Sequence, residues 1–318
     1  MGAEKLLKVS VLPSLLEGSS MQVFPNFTAI SLKDKQLVEL LLQKEQPIIS
    51  EMTFGNMYTW RKTELVEVAS LENSLVFRGK RKNQVAFYSP PVGKDDKVSV
   101  TNILIEHSLA EGFPFLMKGI VEPLSSKLAK EGLTPMPERD NWDYVYLTED
   151  LAKLSSPKYY SKRKEIKKFE SKYKHEYVKI TPSIIPQCIK LQEQWCFAKD
   201  CNDSPGLREE NFTILDALQD FDKIGLSGGA VFVDGNLSAF TIGEMLNSQT
   251  WATHFEKASP DIRGLYQYIN QKFARDLLPN YGFINREQDL GQNGLRAAKT
   301  SYRPHHMVEK SFLMMKES

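Results

Sequence analysis

A strand–turn–strand signature occurs twice in this chain, and it constrains the fold more than any other feature. Val76-Phe77 is followed after eight residues by Ala86-Phe87, and Val231-Phe232 after six by Ala239-Phe240. The offset between the two is 155 residues, close to half of the 318. The order of elements around each signature also repeats, so the chain reads as two copies of one unit. Its length agrees, being too great for one typical compact core.

In the first half a helix pattern covers Leu32–Gln43. Strands are expected at Leu65–Ala69, Ser74–Arg78, Val85–Ser89, Phe115–Ile120 and Trp142–Leu147, with helices at Val98–Glu111 and Glu122–Lys130. In the second half Ser183–Ala198 and Leu207–Phe221 read as helices. A hairpin over Ala230–Leu246 follows, turned by Val233-Asp234-Gly235-Asn236, whose Asp-Gly pair favours a two-residue turn. Next come strand Thr250–Lys257, helix Ile262–Leu278, strand Phe283–Glu287, helix Gln292–Ser301 and strand Met307–Met314. Ile262, Leu265, Tyr266, Ile269, Phe273 and Leu277 make one apolar stripe on their helix. The expected division is 1–156, a connecting helix at 157–176, and 177–318.

The connecting segment is basic. Lys158 to Lys174 holds eight Lys or Arg against two Glu. Tyr159, Ile166 and Tyr173 recur every seven residues, so one stripe docks while the rest stays charged. Such a helix is either a solvated connector or a seat for a polyanion, a tRNA arm or an anionic lipid surface. Lys162, Arg163 and Lys167 are its expected contacts. The net charge of +1 gives no global nucleic-acid signal, and DNA binding is not expected. Cys188, Cys196 and Cys201 lack a histidine at zinc-site spacing, so no metal is expected. They read as free thiols in a reducing, cytoplasmic compartment. The sequence holds neither a secretory leader nor an apolar run of about 18 residues. The opening M-G-A-E-K-L-L lacks the Ser or Thr of a myristoylation signal.

Chemistry is expected in Trp251–Pro304, where Asn285, Glu287, Asp289, Arg296, Lys299 and Tyr302 crowd between apolar strands. Alternation puts His254 and Glu256 on one strand face, a plausible proton-transfer pair. It likewise puts Asn285 and Glu287 on one face, opposite Arg296 and Lys299, which are three apart on a helix. That cluster fits substrate binding or an internal ion-pair network. The loop Ser259–Gly264 opens a helix, and Arg263 and Gly264 suit either an anion cradle or an ordinary cap. No Walker loop, G-x-G-x-x-G, H-E-x-x-H or Ser-His-Asp order is present.

These segments carry a resemblance. E-K-A at Glu256–Ala258, G-L-Y-Q-Y-I-N at Gly264–Asn270, I-N-R-E-Q-D-L-G at Ile284–Gly291 and G-L-R-A-A-K-T-S-Y-R-P at Gly294–Pro304 resemble the C-terminal domain of bacterial phosphatidylglycerol lysyltransferases. They resemble its free-standing soluble relatives more closely. R-D-N-W-D-Y-V-Y at Arg139–Tyr146 and Y-S-K-R-K-E-I-K-K-F at Tyr160–Phe169 also fit, so the resemblance runs from about Gln46 to the end. It implies an α+β protein with mixed sheets, built from two tandem GNAT-like acyltransferase folds and similar to the Fem aminoacyltransferases. The second unit would hold the active site, and the basic helix would help bind aminoacyl-tRNA. A membrane-spanning flippase region, as the lysyltransferases carry, is not expected here.

The expected function is transfer of an activated acyl group to an amine or hydroxyl on a small molecule or lipid headgroup. The donor is aminoacyl-tRNA or acyl-CoA, with tRNA favoured by the basic helix, and no further cofactor is required. Glu256, His254 or Glu287 would act as base. Asn285, Asp289, Arg296, Lys299, Tyr302, Arg263 and Gly264 would hold the donor. The rival expectations are a CoA-dependent N-acyltransferase on a small amine and a non-catalytic binding or scaffold protein of the same fold.

Overall fold

A computed structural model describes residues 21–82 and 84–316. The N-terminal stretch read above for a myristoylation signal lies outside the described residues. The chain divides into two compact units. The first comprises residues up to Glu45, Trp60–Glu138 and the segment from Glu309. The second comprises Gln46–Thr59 and Arg139–Val308. This differs from the expected division at 156: Asp143–Leu147 pairs in the second unit's sheet, and the last strand pairs in the first unit's.

The first unit's main sheet runs, in spatial order, Gln22–Val23, Glu67–Leu71, Ser74–Gly79, Phe87–Tyr88, Phe115–Ile120, Ser311–Met315 and Met136–Pro137. Helices Lys97–Ala110 and Leu124–Lys130 supply Leu104 and Leu128 to the core formed with Phe115, Met117, Ile120 and Leu313, all buried. Asp96 caps the longer helix through Ser99 N at 3.0 Å.

The second unit carries the site, and its strands are labelled in chain order. They are β1 (Asp143–Leu147), β2 (His175–Lys179), β3 (Ser227–Val233), β4 (Asn236–Asn247), β5 (Thr250–Ala258), β6 (Phe283–Asn285) and β7 (His306–Val308). Their spatial order is β2-β3-β4-β5-β6-β1-β7, and every neighbouring pair is antiparallel except β5–β6. The β3–β4 hairpin turns as expected. Val233 faces Asn236, and Asp234 and Gly235 both take positive φ, at 50° and 83°. Besides a single turn at Phe221–Ile224, its α-helices are α1 (Phe54–Trp60), α2 (Thr148–Lys153), α3 (Tyr160–Lys172), α4 (Ile185–Ala198), α5 (Pro205–Gln219), α6 (Leu265–Leu277) and α7 (Asn293–Thr300). On α6 the residues Leu265, Tyr268, Ile269, Phe273 and Leu277 are buried, close to the stripe read from the sequence. Tyr159, Ile166 and Phe169 seat α3 in the same core.

The two sheets share one pairing plan. Each has a tight hairpin, a third antiparallel strand, a parallel neighbour, then two antiparallel strands. The first unit's tight hairpin, however, turns at Glu72-Asn73, between Leu71 and Ser74. Val76-Phe77 therefore lies on the second strand of its hairpin and Val231-Phe232 on the first. The repeat is real in topology, but the residue match that revealed it joins strands that are not equivalent.

Three further expectations are corrected. The strand expected over Met307–Met314 is two strands, β7 and Ser311–Met315, one in each sheet. The strand expected over Phe283–Glu287 stops at Asn285. Cys196 and Cys201 form a disulfide, while Cys188 is a buried free thiol. Among the described residues no helix is long and apolar enough to cross a membrane.

Candidate active site

β5 and β6 are parallel, and they pair only over Thr250–Ala252 and Phe283–Asn285. Beyond Ala252 the two strands part, and among the described residues the edge of β5 from Thr253 to Ala258 has no strand partner on that side. A parallel pair that opens midway leaves unpaired backbone N–H groups facing a cleft, which can meet an acyl carbonyl or an oxyanion. Two polar clusters flank this opening.

The first is centred on His254. A bulge in the β4–β5 ladder sets Thr253 opposite Gly243 and Phe255 opposite Ile242, leaving His254 as the extra residue. The bulge breaks the alternation that put His254 and Glu256 together, and the two take different partners. His254 Nε2 lies 2.9 Å from Glu244 Oε1, and its Nδ1 lies 2.7 Å from Glu287 Oε1. Glu244 also accepts from Gly55 N at 3.2 Å and Asn56 N at 3.1 Å, at the start of α1. A Cβ on Gly55 would stand 2.2 Å from Glu244 Oε1, so only glycine permits this approach. Burial alone would depress the imidazolium, but the bonds to Glu244 and then Glu287 outweigh it and push its pKa up to about 10. His254 is thus charged at neutral pH and is no proton acceptor. The base role read for it from the sequence is corrected on this ground.

Glu287 accepts from His254 and, at 3.4 Å, from Asn56 Nδ2, both at Oε1. Its Oε2 receives no hydrogen bond among the described residues. Its backbone is left-handed, with φ 58°, an uncommon state for a residue with a side chain. Several bonds impose it. Asn285 Oδ1 accepts from Glu287 N at 2.8 Å, Tyr144 N donates to Glu287 O at 3.1 Å, and Arg286 N donates to Tyr144 O at 2.9 Å. Lys299 Nζ donates to Arg286 O at 2.5 Å and Gln288 O at 2.6 Å. Burial lowers the Lys299 ammonium to about 8, with Glu287 opposing and Arg286 adding to the effect.

The pairing of Asn285 and Glu287 on one face, opposite Arg296 and Lys299, is corrected by these contacts. Asn285 is fully buried and donates to Asp143 Oδ2 at 2.9 Å, and Asp143 also accepts from Ser50 N at 2.8 Å. Arg296 is tied to Asp289 at 2.8 Å and Asp140 at 2.7 Å. Burial would raise the Asp289 carboxyl, but bonds from Arg296, Tyr144 and Gly291 N hold it well below the usual range. Asp289, Arg296 and Lys299 therefore brace the loop that carries Glu287.

The second cluster is centred on Glu256. Its Oε1 lies 3.0 Å from Arg286 NH2, and Asn270 bonds the same side chain. Burial raises the Glu256 carboxyl and Arg286 partly offsets this. Tyr146 and Tyr302 close the cluster, with Arg286 Cζ 5.9 Å and 5.3 Å from their rings.

The loop before α6 is covered. A Cβ on Gly264, whose φ is 89°, would meet Glu165 O at 2.5 Å and Phe169 Cβ at 3.0 Å, both from α3. Arg263 is held by Glu165 at 2.5 and 2.9 Å. This corrects Arg263 as a free anion contact. On α3, Arg163 turns inward to Leu154 O and to Ser156 O at 2.8 Å, and Lys162 turns to Ser301 Oγ at 2.6 Å. Lys167 is exposed, as are Lys164, Lys168 and Lys172. Sequence reasoning missed Glu244, Gly55 and Asn56. A lone carboxylate inside the otherwise apolar run of β4 was the available signal for Glu244.

Residues 44–314 match the family described as phosphatidylglycerol lysyltransferase, C-terminal. A conserved protein of unknown function from Bacteroides thetaiotaomicron VPI-5482 is similar at 34% identity, with a TM-score of 0.86 over 91% of this chain and 99% of that one. L-PGS from Bacillus licheniformis is similar in fold, with a TM-score of 0.62 at 13% identity over 89% of this chain and 92% of that one. A tandem GNAT protein from the clavulanic acid biosynthesis pathway has a TM-score of 0.51 at 10% identity, over 91% of this chain and 98% of that one. The fold is thus the tandem GNAT-like one. An uncharacterized protein from Mycoplasmoides gallisepticum is 23% identical over 171 residues, 53% of this chain and 54% of the relative. The chain spans about half the length of the curated relative it matches.

Proposed function

Since the chain belongs to the phosphatidylglycerol lysyltransferase C-terminal family, we propose that it takes an aminoacyl group from aminoacyl-tRNA and passes it to an amine or hydroxyl acceptor. The reaction runs in the opening between β5 and β6. The acceptor atom attacks the ester carbonyl carbon while Glu287 Oε2 takes its proton. N–H groups on the open edge of β5 face the oxyanion. The carbon–oxygen bond to the ribose then breaks, and the ribose oxygen receives the proton from Glu287. His254, charged and fixed by Glu244, orients Glu287.

The observation that carries the choice of donor is the cover over the α6 turn. An acyl-CoA diphosphate at this helix N-terminus would have to displace a backbone carbonyl and a carboxylate, both from Glu165. The exposed stripe of Lys164, Lys167, Lys168 and Lys172 suits a nucleic-acid backbone. The test offers the protein charged tRNA pools and a panel of acyl-CoAs in parallel and measures label transfer and binding at low and moderate salt. Transfer from tRNA is expected, with binding weakened by salt and by charge reversal at Lys164, Lys167 and Lys168. Transfer from acyl-CoA alone, or tRNA binding indifferent to salt and charge reversal, overturns the reading.

A further inference from the structure

Beside the opening, on the Glu256 side, the cations outnumber the carboxylates. Lys162 reaches in from α3. Its Nζ lies 4.2 Å from the centre of the Tyr302 ring and 2.6 Å from Ser301 Oγ. Among the described residues it makes no ion pair to a carboxylate. Arg286 approaches the same ring, its Cζ at 5.3 Å. Among the described residues Glu256 is the one carboxylate bonded to Arg286, and burial draws that carboxyl toward its neutral form. The remaining groups around the two cations are Tyr146 from β1 and Lys299 from α7, and neither adds negative charge: burial raises the phenols of Tyr146 and Tyr302 far above neutrality. Burial, and then the charge of Arg286, lowers the Lys162 ammonium. Burial alone would lower the Arg286 guanidinium, but Glu256 holds it charged; Lys162, half-enclosed beside that guanidinium, has no carboxylate of its own among the described residues, and a bound anion would relieve it. Ser301, which accepts from Lys162, is exposed, so the place is open to solvent.

We propose that Lys162, Arg286 and Ser301 form a phosphate seat that takes the phosphate of the donor's terminal nucleotide. The proposal rests on the aminoacyl-tRNA reading above. It assigns Lys162 a task unlike that of the exposed lysines on the same helix: they meet the body of a polyanion, whereas Lys162 meets one phosphate at the reaction centre.

The test uses the whole protein with adenosine, adenosine 5′-monophosphate and glycerol 1-phosphate, read by calorimetry. Adenosine 5′-monophosphate should bind about tenfold tighter than adenosine, about what one charge-assisted contact supplies. Lys162→Met should abolish that difference while leaving the unfolding midpoint close to wild type. Lys162→Arg, which keeps the charge if the methionine variant misfolds, should retain it. Equal binding of nucleotide and nucleoside, no binding of the nucleotide, or an undiminished preference in Lys162→Met overturns the seat. Glycerol 1-phosphate binding as tightly as the nucleotide overturns the nucleotide assignment in favour of a lipid headgroup. The transfer assay separates the two readings. Transfer from aminoacyl-tRNA without a Lys162-dependent preference sinks the seat alone. A Lys162-dependent preference in a protein that transfers only from acyl-CoA sinks the donor reading alone.

Discussion

His254→Gln is the most informative substitution because it keeps side-chain bulk and removes one charge from between two carboxylates. In the folded protein the imidazolium holds its proton up to about pH 10, against an ordinary value of 6.5. That gap corresponds to a preference for the charged form of about 5 kcal/mol. Breaking a buried ion pair from one side costs about 3–5 kcal/mol, and a glutamine regains about 1 through one hydrogen bond. A net loss of about 3 kcal/mol follows. The pH dependence is the sharper readout. A raised histidine stabilises fully below about 6.5 and loses that contribution as pH climbs toward 10, so the wild-type unfolding free energy should fall across this window. Lys299 acts oppositely, because its folded pKa of about 8 lies below the ordinary 10.5, and its burial penalty is relieved as pH rises. The difference between wild type and His254→Gln cancels that contribution. Urea unfolding followed by tryptophan fluorescence at about pH 6, 7.5 and 9.5 measures it. A difference that does not shrink with pH, or a loss below about 1 kcal/mol at pH 6, refutes the charged bridge between Glu244 and Glu287.

Other consequences follow from the same geometry. Glu287→Gln should lower the rate of label transfer about 10²- to 10⁴-fold with donor binding retained; a variant within threefold of wild type removes Glu287 as the base. Lys299→Met strands the carbonyls of Arg286 and Gln288, and thermal unfolding should report a loss of about 1–3 kcal/mol. Gly55→Ala drives a methyl into Glu244 and should shift the His254 imidazole titration downward by nuclear magnetic resonance, with about 1–3 kcal/mol of destabilisation; an unmoved titration would show that Glu244 does not set it.

What the sequence made legible was local. The Asp234-Gly235 turn, the buried stripe of α6 and the strand Phe115–Ile120 are written in residues that touch their near neighbours. The site is written in exceptions. Period-two alternation placed His254 beside Glu256, but one bulge residue reversed that. It extended β6 to Glu287, but the backbone turns left-handed there under constraint from Tyr144 and Lys299, far away in sequence. The segment Gln46–Thr59 showed no chemistry because its contribution is made chiefly by backbone N–H groups of Gly55 and Asn56, joined by one neutral amide, Asn56 Nδ2. Charges singled out as ligands, Arg296, Lys299, Asp289 and Arg263, are each spent on a partner whose proximity only the fold creates.

One helix connects these features. α3 carries four sets of side chains, and each meets a different requirement. Ile166 and Phe169 dock it in the core. Glu165 lies against the turn that opens α6 and occupies the ground a diphosphate would need. Lys162 leans over Tyr302 beside the reaction centre. Lys164, Lys167, Lys168 and Lys172 remain in solvent. Helical spacing ties these tasks together, because rotating α3 to uncover the α6 turn would also withdraw Lys162 from Tyr302. A donor that exploits the exposed lysines would therefore meet a helix start covered by Glu165 at one point and a cation, Lys162, at another. Under the proposed reading, the exclusion of one donor and the capture of the other are two consequences of the same packing.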